Sequence, residues 1–124
     1  MQFKSTRNFL LFDYNMSHSQ LVLRSFKDKE NDFNLDIIFF GVSQIQTIVD
    51  FASVIISWEN KNHEEDIEFL IQSDQAAEMK ITGAYFNVIK NSFDYTETSV
   101  FRNTDIECEI VFSSLSNPAG PTVY

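Results

Sequence analysis

Several residue types are scarce in this chain, and each scarcity excludes something. A single cysteine, Cys108, cannot form an internal disulfide. A disulfide-stapled secreted scaffold is therefore excluded. Two histidines leave little material for a zinc site or a histidine-based catalytic design. Basic residues are few: nine Lys and Arg against eighteen Asp and Glu, for a formal net charge of −9. They are scattered, and the closest group, Arg24, Lys27 and Lys29, is interrupted by Asp28 and Glu30. Nucleic-acid binding needs a local basic excess, so neither DNA nor RNA is an expected partner. Adsorption to anionic lipid is unexpected for the same reason, and no apolar run approaches the roughly 20 residues of a membrane span. Glycine (three) and proline (two) are too rare for a low-complexity or collagen-like chain.

What is abundant is phenylalanine, at thirteen residues, within a chain 44% hydrophobic and 22% charged. At 124 residues this is one domain, long enough to fold around a single core. The N-terminus, MQFKSTRNFLLF, lacks the long apolar region of a signal peptide. With the lone cysteine, this predicts a cytoplasmic protein.

Period-two alternation runs through the chain and predicts strands. The first is Asn8 to Tyr14, with Leu10, Phe12 and Tyr14 on one face. Residues 15–18 turn the chain into a second strand, Ser19 to Phe26. A charged loop (KDKENDFN) leads to Leu35 to Phe40, apolar on both faces and so covered on both. Gly41 marks a bend. Val42 to Phe51 reads as strand by its β-branched content, although Ile45, Ile48 and Val49 also fit a helix. Val54 to Trp58, Ile67 to Ile71 and Met79 to Lys90 follow, the last interrupted at Gly83. Phe93 to Phe101 and Ile106 to Phe112 complete a final hairpin. The expected fold is all-β, a mainly antiparallel sandwich or closed barrel of about nine short strands. Residues 1–113 form the domain, and 114–124, which hold both prolines, read as a mobile tail.

Two polar clusters are candidate sites. The first turn gathers Asp13, Ser17 and His18, with Ser19 alongside. These are residue types of a nucleophilic site, yet the glycine pattern of a nucleophile elbow is absent. Polar residues are also what a hairpin turn requires, with His18 bonding the turn backbone. The second cluster, His63, Glu64, Glu65 and Asp66, is the densest titratable run. It lacks the glycine and alternating ligands of a calcium loop, and consecutive residues entering a strand point to opposite faces. It reads as a solvated acidic loop, on which a basic partner would land. Cys108 shares a predicted apolar face with Ile106, Ile110 and Phe112, as a small buried hydrophobe. No catalytic residue, metal or cofactor is assigned.

Residues 13–25 (DYNMSHSQLVLRS) followed by 35–42 (LDIIFFGV) resemble small bacterial β domains of unknown function. Those begin with a His-containing turn and a hydrophobic strand, then a Phe-x-Gly-Val-like strand. Some are assigned as immunity proteins of polymorphic toxin systems. Ser19 stands where many members carry Asp, so no acidic site is carried over. The resemblance implies a small, cytoplasmic, non-enzymatic protein-binding domain. With the charge, this predicts an acidic binding protein, immunity-like, neutralising a basic protein partner. Two alternatives stand beside it: a small-molecule-binding β-barrel, and an oligomeric structural domain, for which a homodimer through an edge strand is the simplest assembly.

Overall fold

The computed structural model describes residues 1–48, 50–59, 66–74, 79–92, 108–116 and 122–124. The fold is all-β, and no helix occurs among the described residues. The described residues form nine strands: β1 (Gln2–Asn15), β2 (Gln20–Ser25), β3 (Asn34–Phe40), β4 (Gln44–Gln46), β5 (Asp50–Ser57), β6 (Ile67–Gln72), β7 (Met79–Gly83), β8 (Tyr85–Asn91) and β9 (Glu109–Ser113). They form one sheet in the order β4-β7-β6-β5-β1-β2-β3-β8-β9, and every neighbouring pair is antiparallel. The sheet is not closed, so it is not a barrel. No helix of the described residues is long and apolar enough to cross a membrane.

β1 organises the sheet. Its first part, from Gln2, pairs with β5, and its last part, to Asn15, pairs with β2. Two bulges interrupt it. Thr6 and Arg7 oppose the single residue Ser53, which takes a left-handed φ of 56°. Phe12 is extra between Leu11, opposite Leu23, and Asp13, opposite Val22. Bulges bend and twist a strand. The two halves of the sheet accordingly face each other: Phe69 of β6 lies 5.5 Å from Phe39 of β3 and 5.4 Å from Phe86 of β8. Between them lies a core of Phe3, Phe9, Leu23, Ile37, Val54, Ile56, Trp58, Ile81 and Val88, all buried.

Several expectations are corrected here. The first strand begins at Gln2, not Asn8, because Phe3 and Ser5 face the core before the first bulge. Leu10 and Phe12 do not share a face with Tyr14. The extra residue at Phe12 reverses the phase, leaving Leu10 beside Arg24 and Tyr14 beside Leu21. The expected strand from Val42 to Phe51 divides. β4 pairs with β7, whereas Phe51 belongs to β5 with Val54 and Ile56. Met79 to Lys90 also divides, into β7 and β8, which pair with different neighbours. The break lies where β3 ends. Ala84 N–H donates to Phe40 O (2.8 Å), and Gly41 turns with φ 65°. A Cβ on Gly83 would lie 3.0 Å from Phe40 O, tighter than an ordinary contact, so this close approach of backbones favours glycine.

β9 corrects another expectation. Phe112 opposes Val88 and Ile110 opposes Ile89, so Val111 is an extra residue and the alternation switches. Phe112 enters the core, while Ile110 is 59% exposed and Cys108 is exposed rather than buried. Phe93 to Phe101 and Ile106 lie outside the described residues. The segment 114–124 is not a free tail at its described ends. Ser114 Oγ accepts from Phe86 N–H (2.9 Å). Val123 bridges Lys4, Tyr124 exchanges backbone hydrogen bonds with Lys4 and Thr6, and its ring stacks on Phe3 at 5.2 Å. This pairing occupies β1 at residues that β2 does not reach. The Lys4 carbonyl and the Thr6 N–H of β1 are thereby satisfied.

Candidate functional site

The polar interior of the sheet is built on β2, β3 and β8. Arg24 and Asp36 sit directly opposite each other, both 0% exposed. Arg24 grips the carboxylate with two parallel bonds, Nε to Oδ1 at 2.7 Å and Nη2 to Oδ2 at 2.8 Å. Asn91 Nδ2 donates to Asp36 Oδ2 (2.8 Å), and Asn34 Nδ2 donates to Asn91 Oδ1 (2.9 Å). Phe12, the bulged residue of β1, lies with its ring 3.9 Å from the Arg24 guanidinium carbon. Bidentate pairing, an added amide and an aromatic face are what a buried ion pair needs to offset desolvation. The sequence carries one signal of it: an aspartate inside an otherwise apolar run, LDIIFF, must find a donor if buried.

Where β1 parts from β2, a cleft of about 1160 Å³ opens. Arg7, aimed by the first bulge, crosses that gap. Its Nε donates to Ser25 Oγ (2.9 Å), and its Nη2 donates to the carbonyls of Ser25, Phe26 and Phe33. Its Nη1 is buried without a hydrogen-bond partner. Desolvation lowers the Arg7 pKa, against the opposing fields of Asp28 and Asp36. Lys90 Nζ stands 4.2 Å from the centre of the Phe33 ring, and Arg7 Cζ stands 5.1 Å from it. Phe9, Leu35 and Phe51 line the floor, and Asp28, Glu30 and Asp50 line the rim.

The rim loop is held by Asp28, whose Oδ1 accepts the N–H groups of Glu30 and Asn31, each at 2.8 Å. Those N–H groups, Asn31 first, hold the carboxyl below the usual carboxylate range, with a smaller contribution from Arg7. A lowered folded pKa favours the folded loop above the ordinary aspartate value near about 4. That contribution is lost as pH falls through the lowered folded value. The amide resonance of Asn31 should therefore respond to Asp28 protonation only below the ordinary aspartate range. A midpoint at or above that range would contradict this.

A second cleft, of about 720 Å³, lies where β1 and β6 begin and β5 ends. Glu59, Asp66 and Glu68 line it together with Trp58, Ile67 and Leu70. The three carboxylate residues are exposed, as is Leu70 at 51%, and Trp58 is buried. Glu68 also meets Lys80 at 3.4 Å. Of the predicted acidic cluster, Asp66 falls in this cleft, while His63, Glu64 and Glu65 lie outside the described residues.

The first turn does not assemble a site by contact. Ser17 N–H and Oγ both bond Asn15 Oδ1, at 3.1 and 2.8 Å. Ser17 and His18 are exposed, and Asp13 pairs in register with Val22. Among the described residues, no hydrogen bond joins Asp13, Ser17 and His18. No group of three or more His, Cys, Asp or Glu among the described residues is placed to hold a metal ion. Partial desolvation pushes the Cys108 thiol up, with Asp36 adding to the shift and Arg24 opposing it, which disfavours a reactive thiolate.

Sequence reasoning missed the role of Arg7 altogether. A bulge leaves no compositional mark in RNF, so nothing local showed where its side chain would go. Comparison with family models, with curated proteins and with solved structures found no match for the chain.

Proposed function

We propose that this is a non-enzymatic binding domain whose carboxylate-rich surface takes up a basic protein partner, in the manner of an immunity protein. The observation that carries this reading is the cleft of Glu59, Asp66 and Glu68 beside exposed Leu70. An acidic rim next to an apolar patch suits the aliphatic stem and charged head of a partner's Lys or Arg. The use of charge elsewhere supports it. Arg24 is bound to Asp36, Arg7 to loop carbonyls and Lys27 to Ser92 O. Asp28, Glu30, Asp32, Asp50, Glu59, Asp66, Asp74 and Glu109 are exposed. An outward field of this sign accelerates encounter with a basic protein and weakens with salt.

The test compares wild type with a Glu59→Lys, Asp66→Lys double variant as bait in lysate of the source organism. Captured proteins are identified, and the leading one is purified for titration against both baits. A basic protein should bind wild type at low salt, weaken as salt rises, and lose at least about tenfold in affinity to the double variant, the size of one strong interfacial charge pair. Equal binding to both baits, or no basic protein captured at low salt, overturns the reading.

A further inference from the structure

The larger cleft has a chemistry of its own, independent of the acidic one. Two cations, Arg7 and Lys90, stand near the same Phe33 ring in its lining. The chain carries twice as many acids as bases, yet neither cation has a carboxylate within ion-pair distance among the described residues. Arg7 is bonded only to neutral acceptors, and one of its nitrogens is buried without a partner. The ammonium of half-buried Lys90 rests on an aromatic face. A partly desolvated guanidinium with no carboxylate in direct contact is costly, so its placement beside a second cation favours an incoming anion.

Below these cations the cleft reaches the core. Phe9, Leu35 and Phe51 are each 2% exposed, and half-buried Val111 adjoins them in the lining. The volume, about 1160 Å³, is at the scale of small-molecule pockets, which are mostly apolar with a few placed polar groups. The rim also carries Asp28, Glu30 and Asp50. Their negative charge opposes a doubly charged head and tolerates a single one better.

We propose that this cleft binds a small amphipathic monoanion, an alkyl or aryl carboxylate, with its head at Lys90 within the field of Arg7 and its apolar body against half-buried Phe33 and Val111, above Phe9, Leu35 and Phe51. Lys90 makes the direct charge contact. Arg7 holds the cleft open by tying β1 to the loop after β2, and adds its field.

The experiment titrates the full chain with decanoate below its micellar concentration, and with decanol, decyl phosphate and decyltrimethylammonium as comparators. Calorimetry gives affinity and stoichiometry, and methyl NMR of Leu35 and Val111 gives location. Decanoate should bind at one saturable site per chain and shift both methyl groups. Each comparator should bind at least about tenfold more weakly, the scale of a hydrogen bond to a charged group. Lys90→Gln should weaken decanoate by a similar factor and leave decanol unchanged. Lys90→Arg, which keeps the charge, should restore most of the loss. The dichroism spectrum of each variant verifies its fold. If Lys90→Gln does not fold, the comparator series and the methyl shifts decide alone. Equal binding of decanoate and decanol, tighter binding of the phosphate or the cation, or shifts that spare Leu35 and Val111 would each overturn the proposal. None of these results bears on the Glu59 and Asp66 cleft.

Discussion

Replacing Asp36 with alanine should cost about 3–5 kcal/mol, the range for stranding one partner of a buried ion pair. Arg24 would keep its charge at 0% exposure while losing both bonds to the carboxylate. Asn91 would lose an acceptor in the same step, and through it Asn34 would be loosened. A domain of this size has about 5–15 kcal/mol of total stability, so the variant should be close to unfolding. The double replacement Arg24→Met, Asp36→Leu should be far milder, because no charge is left stranded. Urea denaturation of the three proteins measures this. An Asp36→Ala variant within about 1 kcal/mol of wild type would show that water or rearrangement satisfies Arg24.

The second large effect belongs to Phe86. Its ring lies between 5.1 and 6.0 Å from those of Phe3, Phe39, Trp58, Phe69 and Phe112. Those residues come from β1, β3, the end of β5, β6 and β9, so one side chain ties both halves of the sheet. Phe86→Ala should cost about 3–5 kcal/mol through lost transfer energy and an unfilled cavity. Phe86→Leu should cost less, since it returns part of the volume. Trp58 reports the change directly: its emission should shift to longer wavelength in the alanine variant as water enters beside it. An unchanged emission and an unchanged denaturation midpoint would mean that the neighbouring rings collapse into the space.

Alternation made β2, β3 and β6 legible, because each keeps one phase from end to end. Leu21 and Leu23, Leu35 and Ile37, and Phe69 and Ile71 are buried on the core side as that phase requires. β1 and β9 were misread in register, and in β5 the face of Val54 and Ile56 was read correctly while Phe51 was given to the preceding strand. The extra residues Phe12 in β1 and Val111 in β9 exchange the faces beyond them, and in β5 the left-handed Ser53 does so, leaving both Phe51 and Val54 buried. The candidate sites followed the same division. Asp66 was visible as part of an acidic run, and the cleft it lines was not. Lys90 and Arg7 were merely scattered cations until β1, β3 and β8 carried them to one ring.

Class and composition followed from the residues alone. Period-two patterning, few helix-favouring stretches and thirteen phenylalanines can bury their apolar surface only as sheet against sheet. Strand order, the facing of the two halves and the pairing of Arg24 with Asp36 depended on the tertiary structure. These are contacts between residues distant in sequence, chosen by which bulges bend β1 and which backbone edges remain to be satisfied. Local patterning reports which face of a strand is apolar. It carries no information about which strand will lie beside it, and the charges of this protein acquire their roles only from that choice.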